Sequence, residues 1–480
     1  MPILNNKILV YVASRYITYA LQFLLSLVIA VRLGPFYLGV FGIVNLVISY
    51  FGQVNFGIPH ALNIFLIHNK NNRAVGDLFS YNALILYTYQ NFLIVLGVVF
   101  LVYFGWSRWG VNNLGQYLFL IIPISVLTYY NSILTTILRV RNYVNALSLI
   151  GSLGILLNIC IVWFYTEEPL VHALVFANLV SSILTAIICI NKGVFPKRST
   201  WTFSIKIQKN ILHKGIYLFL YNSCFYFILI AIRTIISSNY SIEQFGYFTF
   251  SFTIANAIML LLDSFNTILY PKMIDLLSSN DNVQRANTLN KMRVGYISTS
   301  HMLIYLAMIC FPVLVWLIPK YQPALTSMNM IALAVLMNTN SYGYSNLLIA
   351  QNKEKQAGFI SAISLALNIF LGLILAKVAC VQYSYVIIAT LLAYMVSSFL
   401  MSFEGDAIIT GKKNIKYSLK HFFPVRMFIP YFTALIISIY KLEYLVFLPF
   451  LIYTILNYRD YQYILTVALK LVRKPNIIDV

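Results

Sequence analysis

Residues 8–30, ILVYVASRYITYALQFLLSLVIA, form a run in which apolar side chains dominate and charge is limited to Arg15. A helical apolar run of about 18 or more residues is long enough to cross the hydrocarbon core of a bilayer. No small-residue cleavage site follows this run, so we interpret it as a retained first span rather than a signal peptide.

Comparable apolar runs recur along the whole chain of 480 residues, which is 60% hydrophobic and 10% charged with a mean hydropathy of +0.80. A soluble domain carries about a quarter charged residues. The sequence therefore predicts an all-α integral membrane protein with about 14 transmembrane helices. The predicted spans are 8–33, 38–66, 78–104, 117–138, 146–166, 170–190, 215–237, 244–270, 294–318, 323–350, 357–380, 384–403, 422–440 and 442–458.

The formal charge of +20 comes from 33 Lys and Arg against 13 Asp and Glu, and its distribution predicts the topology. With the N-terminus inside, 26 of these cations fall on inner segments and three, Arg108, Lys320 and Lys441, fall on outer loops. The remaining four lie in or at the ends of spans. Such a bias follows the positive-inside rule. We expect a multi-pass protein of the bacterial inner (plasma) membrane with both termini cytoplasmic, and no nucleic-acid partner.

The connecting segments are too short to hold a separate catalytic domain. The longest predicted outer loop is 105–116, and the inner connectors 191–213, 271–293 and 404–421 are too small for a nucleotide-binding fold. No Gly-rich phosphate loop followed by Lys is present. The histidines have no metal-ligand spacing, and we interpret the five cysteines as packing residues. We therefore expect that the protein is not an enzyme and has no cofactor or metal site. Residues 201–213 (WTFSIKIQKNILH) are typical of an interfacial amphipathic stretch.

An internal repeat organises the spans. The first span ends Val28-Ile-Ala-Val-Arg32 and the seventh ends Leu229-Ile-Ala-Ile-Arg233, and a glycine-containing stretch follows each after a short loop. We interpret residues 1–192 as an N-terminal lobe of six spans and 193–214 as a basic cytoplasmic linker with an interfacial helix. Residues 215–403 are then a C-terminal lobe of six spans, and 404–480 comprise a loop, spans 13–14 and a cytoplasmic tail. Such doubled bundles place substrate sites between their halves.

Polar residues at helical spacing mark candidate cavity faces within the spans. Small polar residues also serve ordinary helix packing, and tyrosines near span ends also anchor helices at the interface. Ionisable residues at bilayer depth are more telling, because they normally face a cavity or a partner. The predicted substrate-binding residues are Arg15, Arg233, Asp263, Tyr11, Tyr19, Gln22, Asn222, Tyr226, Asn256, Arg32 and Lys377.

Four of these residues are cations and one, Asp263, is an anion. A cavity lined in this way favours an anionic ligand, and the planar fork of arginine suits phosphate oxygens. Asp263 could pair with a cation, tune an arginine or carry a coupling proton, and the sequence does not separate these roles.

The stretch Arg32 to Ile43, RLGPFYLGVFGI, resembles the opening motif of the Wzx-type polysaccharide flippases of the multidrug/oligosaccharidyl-lipid/polysaccharide (MOP) exporter superfamily. Further likenesses are Glu243-Gln-Phe-Gly-Tyr-Phe, Leu269-Tyr-Pro-Lys-Met and Asn346-Leu-Leu-Ile-Ala-Gln-Asn-Lys-Glu. This resemblance implies a MOP/MATE-like fold and a flippase for an undecaprenyl-pyrophosphate-linked oligosaccharide such as an O-antigen repeat unit. Arg15 and Arg233 would hold the pyrophosphate, and the two lobes would expose a central cavity alternately to each side.

The resemblance also implies partners in the bilayer and in the glycan pathway, such as polymerase and chain-length proteins, and leaves open coupling to a proton or sodium gradient. Two other functions remain open. A multidrug or other small-molecule exporter of the same superfamily would be expected to carry carboxylates at membrane depth in spans 1–6, where the sequence has none. A membrane glycan-modifying enzyme would be expected to show a large outer loop or catalytic His or Asp near a span.

Overall fold

The computed structural model describes the backbone of residues 2–69, 72–103, 114–278, 281–460 and 462. Within helices, the side chains of residues 2–16, 101–102, 114, 144, 217–218, 221, 256, 259–275 and 420–421 lie outside that description. The described backbone forms α-helices and no strand. The helices are α1 (Pro2–Gln53), α2 (Ile58–His68), α3 (Arg73–Tyr103), α4 (Leu114–Val140), α5 (Val144–Val162), α6 (Glu167–Asn191), α7 (Ile205–Asn239), α8 (Ile242–Ser278), α9 (Asn282–Leu317), α10 (Leu325–Thr339), α11 (Tyr344–Ala350), α12 (Glu354–Leu373), α13 (Ile388–Thr410), α14 (Ile415–Phe422), α15 (Val425–Ile439) and α16 (Leu448–Leu456).

Eight helical stretches in the described residues are long and apolar enough to cross a membrane. Helices α7 and α8, at 35 and 37 residues, also have the length to do so. The predicted all-helical membrane fold is confirmed, whereas the number fourteen stays a prediction. The eight stretches are Ile17–Gln53, Arg73–Phe100, Gly115–Val140, Asn145–Val162, Glu167–Asn191, Asn282–Leu317, Glu354–Val378 and Tyr383–Thr410.

The first two predicted spans meet at a sharp backbone break inside α1. Gly34 has φ 66° and ψ 171°, a conformation that is essentially confined to glycine. Pro35 follows it and starts the next helical segment, where a missing N–H costs nothing. The Gly-Pro pair of the RLGP motif therefore ends one helix and begins the next without a loop.

The second predicted span, 38–66, is not one continuous helix. Helix α1 ends at Gln53, and α2 starts at Ile58 after Phe56 and Gly57, which have φ of 47° and 69°. A Cβ on Gly57 would lie 2.2 Å from the carbonyl oxygen of Gly215 on α7. The helix breaks here because two backbones meet at a glycine pair, and Pro59 then restarts the helix.

The tenth predicted span, 323–350, is also interrupted. A short 3₁₀ turn, Pro319–Ala324, leads into α10, and α10 and α11 are separated by residues 340–343. Gly343 in this break has φ 85°. The sequence Asn340-Ser-Tyr-Gly343 is rich in turn-forming residues, which favour leaving the helix.

The chain divides into two compact units, and the boundaries fall inside α1 and α7. The N-terminal unit comprises Ala20–Ser223, and the C-terminal unit comprises Met1–Tyr19 with Cys224–Val480. In the N-terminal unit, the buried side chains of Leu62, Tyr87, Ile133, Leu138 and Cys189 join α2, α3, α4 and α6 into one apolar core.

Helix α10 is the centre of the C-terminal unit. All of its residues except Thr326 and Asn338 are buried, which is typical of a helix surrounded by protein on every side. The two last helices also pack in this unit, since Tyr431 on α15 donates to the carbonyl of Leu333 at 3.2 Å. Tyr453 on α16 similarly donates to the carbonyl of Ser298 at 2.8 Å.

Candidate functional site

The structure places the eleven predicted site residues in both units. Seven have described side chains: Tyr19, Gln22, Arg32, Asn222, Tyr226, Arg233 and Lys377. The backbones of Tyr11 and Arg15 lie in α1 and those of Asn256 and Asp263 in α8, but these four side chains lie outside the described part of the structure. Gln22, Arg32 and Asn222 belong to the N-terminal unit, and the other eight belong to the C-terminal unit.

The turn between α7 and α8 positions Arg233. Ser241 and Gln244 form a reciprocal capping pair, in which each backbone N–H donates to the other side chain, at 3.1 and 3.2 Å. This pair starts α8 immediately after α7, so the end of α7 faces the beginning of α8. Tyr240 in the turn donates to the carbonyl of Val381 at 2.7 Å and ties the turn to the segment that follows α12.

Arg233 is buried against aromatic rings of α8. Its guanidinium carbon lies 4.7 Å from the ring centre of Phe252 and 5.9 Å from that of Phe245, and 8% of the residue is exposed. The two phenylalanines are seven residues apart, two helical turns, and so share one face of α8. Ring faces stabilise a cation without neutralising its charge. The arrangement therefore keeps a positive charge inside the C-terminal unit in a fixed orientation.

Tyr226 and Asn222 precede Arg233 on α7. Tyr226 lies two turns before the arginine on the same helical face and is 42% exposed. Asn222 is half-buried one turn further back. The predicted polar stripe of α7 thus begins at the half-buried Asn222, passes the exposed Tyr226 and ends at the buried Arg233.

In the N-terminal unit, Arg32 lies next to the break at Gly34. It is half-buried, and its guanidinium carbon lies 5.9 Å from the ring centre of Trp163, which follows α5. Gln22 is exposed. Arg32 and Trp163 both belong to segments that the sequence places at the outer edge of the membrane, where arginine and tryptophan are common.

Lys377 lies in a π-helical turn, Ile374–Val378, that follows α12, and its side chain is exposed. Tyr19 is half-buried in α1. Of the predicted cations with described side chains, Arg233 is thus the one that the structure buries in the protein.

Sequence reasoning missed a second buried arginine, Arg293 on α9. Its side chain donates to the carbonyls of Asn340 at 2.7 Å, Tyr342 at 3.0 Å and Phe422 at 3.2 Å. Its guanidinium carbon lies 4.1 Å from the ring centre of Tyr344. We counted this residue with the inner connector 271–293, but α9 begins at Asn282 and carries it into the bundle.

The arginine satisfies the backbone that the break in the tenth span leaves open. Carbonyls at the end of α10 lose their helical donors at residues 340–343, and a buried carbonyl without a donor is costly. Tyr344, under the guanidinium, donates to Asp406 Oδ1 at 2.7 Å. The useful sequence signal was the turn-rich stretch Asn340-Ser-Tyr-Gly343 inside an apolar run, which implied that another group must cap it.

An acidic residue of the N-terminal unit, Asp77 on α3, is also engaged. It is buried, and its Oδ1 lies 2.7 Å from the guanidinium of Arg141, which follows α4. Burial, and then the nearby Arg73 cation, lower the pKa of Arg141, while Asp77 acts in the opposite direction. Arginine keeps its charge at physiological pH despite such shifts, so the pair is a structural ion pair.

No group of three or more His, Cys, Asp or Glu side chains among the described residues could hold a metal ion. The three clusters described above are each centred on an arginine: Arg233, Arg293 or Arg141. Their chemistry suits the binding of anions and backbone carbonyls.

The long apolar helices define a polytopic helical membrane protein, and its fold is similar to that of solved MATE transporters. An inward-facing multidrug resistance MATE family transporter of the MOP superfamily superposes with a TM-score of 0.67 at 14% identity, over 83% of this chain and 95% of that chain. A MATE in complex with MaL6 gives a TM-score of 0.62 at 14% identity, over 86% and 97% of the two chains. The outward-facing conformation of a multidrug resistance MATE family transporter gives 0.59 at 14% identity, over 85% and 95%.

No protein-family model and no curated protein matches the sequence. At 14% identity the structural likeness shows the fold. The similar structures are transporters rather than enzymes, and the predicted MOP/MATE-like architecture is confirmed.

Proposed function

We propose that the protein is a flippase that moves an undecaprenyl-pyrophosphate-linked oligosaccharide, such as an O-antigen repeat unit, from the inner to the outer leaflet of a bacterial inner membrane. The observation that carries the proposal is Arg233, a buried cation held on two phenyl faces within an exporter fold. Burying a charge is expensive, so a charge kept at membrane depth favours a functional role.

The distribution of acidic residues supports an anionic substrate. In the first 192 residues the acidic side chains are Asp77, Glu167 and Glu168. Asp77 is already paired with Arg141, and the two glutamates lie exposed in the first turn of α6. A site for organic cations would need an available carboxylate at membrane depth, and the described side chains of the N-terminal unit offer none.

In the proposed mechanism, Arg233 and Arg15 bind the pyrophosphate, because the guanidinium fork matches two phosphate oxygens at once. Tyrosine and asparagine side chains, such as Tyr226 and Asn222, contact the glycan. The two halves of the protein rock to expose the bound head group to one leaflet and then the other, while the lipid tail stays in the bilayer along α15 and α16. A proton or sodium gradient drives the cycle, and polymerase and chain-length proteins of the glycan pathway take the product.

A second candidate, a multidrug or other small-molecule exporter, is favoured by two of the similar structures, which are described as multidrug resistance transporters. The two candidates differ in the sign of the substrate charge. An exporter of organic cations should tolerate loss of a positive site charge, whereas a pyrophosphate flippase should not.

The test is glycan export in cells whose own flippase has been deleted, with Arg233→Gln, Arg233→Lys and the exposed control Lys320→Gln. Loss of a charged partner in a buried contact costs about 2–5 kcal/mol, so binding should fall by on the order of a hundredfold in Arg233→Gln. Arg233→Lys should retain part of the export, because it keeps the charge and loses the planar fork. Lys320→Gln should export normally.

Membrane levels of each variant are measured in parallel by quantitative immunoblot, so that loss of protein is not mistaken for loss of transport. Normal glycan export by Arg233→Gln at wild-type level would remove the arginine from the site. Resistance to cationic drugs conferred by the wild type, with no glycan export, would establish the second candidate instead.

A further inference from the structure

The linker between the two predicted lobes is part of the N-terminal unit and is folded against α3 and the end of α4. Asn82 on α3 donates to the carbonyl of Thr202 at 3.0 Å and accepts from the backbone N–H of Ser204 at 2.9 Å. Tyr81, its neighbour, stacks on Trp201 with ring centres 5.5 Å apart. The amide of Asn82 thus holds the linker both as a donor and as an acceptor, and the ring of Tyr81 packs against Trp201.

The beginning of the linker has a second anchor. Arg141, besides pairing with Asp77, donates to the carbonyl of Gly193 at 2.9 Å. The backbone N–H of Lys197 donates to Asp77 Oδ2 at 3.5 Å. Trp201 Nε1 donates to the carbonyl of Pro196 at 3.1 Å and closes the intervening turn. Residues 193–204 therefore have a defined conformation.

This conformation exposes apolar and basic side chains together, on a surface that we call the linker face. Its apolar members are Phe195, Trp201, Phe203, Ile205 and Leu212, which are 42%, 45%, 51%, 68% and 38% exposed. Its basic members, Lys197, Arg198, Lys206, Lys209 and Lys214, are exposed as well.

The first turns of α7 arrange these groups in a fixed order around the helix. Gln208 and Ile211 are buried on one side. At 3.6 residues per turn, exposed Ile205 and Leu212 come next around the circumference, followed by Lys209 and Lys206. The apolar stripe thus lies between the protein and the pair Lys209 and Lys206. An interfacial helix has this order when its apolar edge enters the acyl region and its lysines reach headgroups.

Helix α14, in the C-terminal unit, repeats the arrangement. Ser418 and Phe422 are buried, Ile415 and Leu419 are exposed beside them, and the exposed Lys416 comes next. The N-caps correspond too: Asn414 Oδ1 accepts from the N–H of Tyr417 at 3.2 Å, as Ser204 Oγ accepts from the N–H of Ile207 at 3.4 Å. The same surface occurs at the two connectors that follow the sixth and twelfth predicted spans.

We propose that the linker face, and its counterpart on α14, bind the headgroups of anionic phospholipids in the leaflet where these connectors lie. The charge is complementary, because each lysine near an anionic surface contributes about 1 kcal/mol of attraction. The exposed apolar side chains select a bilayer over an acidic soluble protein, since α7 continues from this face directly into its predicted span. The proposal does not depend on which substrate the protein moves.

The test uses the full-length protein in nanodiscs, with Trp201 as the reporter. Of the five tryptophans, Trp106, Trp109, Trp163 and Trp316 are replaced by Phe. Quenching of Trp201 is then compared between brominated phosphatidylglycerol and brominated phosphatidylcholine at equal mole fraction. Selective contact predicts quenching by the anionic lipid that is at least about twofold stronger.

Replacement of Lys197, Arg198, Lys206, Lys209 and Lys214 by Gln together should make the two lipids quench Trp201 equally, because these exposed side chains supply the selectivity. The matched control, Lys353→Gln with Lys355→Gln, removes cations from a predicted inner connector outside the linker face and should keep the preference. Equal quenching before any lysine is changed would overturn the proposal. A preference that survives these substitutions, or that the control also loses, would overturn it too.

Discussion

Replacement of Arg293 by alanine tests whether one buried cation holds the interruption between α10 and α11. The substitution removes the donor to three carbonyls, at 2.7, 3.0 and 3.2 Å, and the contact with the ring of Tyr344 at 4.1 Å. The residue is 7% exposed, so little bulk water can replace it.

The expected cost follows from the carbonyls. A buried acceptor left without its partner costs about 1–3 kcal/mol. The summed free-energy cost of three such acceptors is partly offset, because the variant no longer has to bury the charge of the arginine away from water. We expect a net loss of about 3–5 kcal/mol for Arg293→Ala, by analogy with broken buried pairs. Arg293→Lys should lose roughly half as much stability, since an ammonium can still donate hydrogen bonds but cannot stack on the ring of Tyr344 as a planar group.

Thermal unfolding in detergent, followed by fluorescence-detected size-exclusion chromatography, measures the effect. A kcal/mol corresponds to about 2–4 °C for a domain of this size, so Arg293→Ala should lower the midpoint by on the order of 10 °C. Lys291→Ala, an exposed position two residues away on α9, is the control and should change little. A midpoint for Arg293→Ala within about a degree of the control would refute the reasoning.

Two further predictions concern the N-terminal unit. Gly57→Ala should prevent accumulation of folded protein, because its Cβ would lie 2.2 Å from the carbonyl oxygen of Gly215. The Cβ of Gly34→Ala would meet nothing within 4 Å, so this variant should lose only about 1–3 kcal/mol of stability to backbone strain. Expression and thermal midpoint distinguish them, and equal behaviour of the two variants would contradict the close approach. Asn82→Ala removes two hydrogen bonds to the linker, each worth about 0.5–1.5 kcal/mol. The linker should therefore open more often, and limited trypsin cleavage between residues 193 and 204 should become faster by on the order of tenfold. An unchanged cleavage rate would mean that other contacts hold the linker.

The sequence predicts the membrane fold well because the bilayer imposes a strict rule on it. Each long apolar run must satisfy its backbone internally, so it becomes a helix. The end of the first span was also readable, because only glycine tolerates the conformation at Gly34 and Pro35 can begin a helix. These are local constraints, and the local sequence carries them.

The interruptions near Gly57 and Gly343 were not predicted, because hydropathy averages over them. Gly57 departs from the helix where the backbone of Gly215 approaches, a contact between residues far apart in the chain. The break before Gly343 persists because Arg293 supplies donors from another helix. The sequence shows glycine at both places, but not the distant group that makes each break stable.

The sequence indicated which residues are candidates for the site, but it indicated only partly which of them are buried. Arg233 is buried, as expected for a functional cation at membrane depth, and its aromatic support from Phe252 depends on a capping pair that sequence reasoning did not weigh. Lys377 and Gln22 are exposed, and helical periodicity alone could not distinguish exposed faces from buried ones. The side chain of Arg15 lies outside the described residues, so its role stays a prediction.

The most direct test of the flippase account is translocation by the purified protein in proteoliposomes. A fluorescent undecaprenyl-pyrophosphate oligosaccharide is placed in both leaflets, and its access to a membrane-impermeant quencher is followed over time. The account predicts that wild-type protein exposes the inner-leaflet pool and that Arg233→Gln does not. Equal exposure by both proteins, or no exposure by a wild type that exports cationic dyes from the same vesicles, would contradict it.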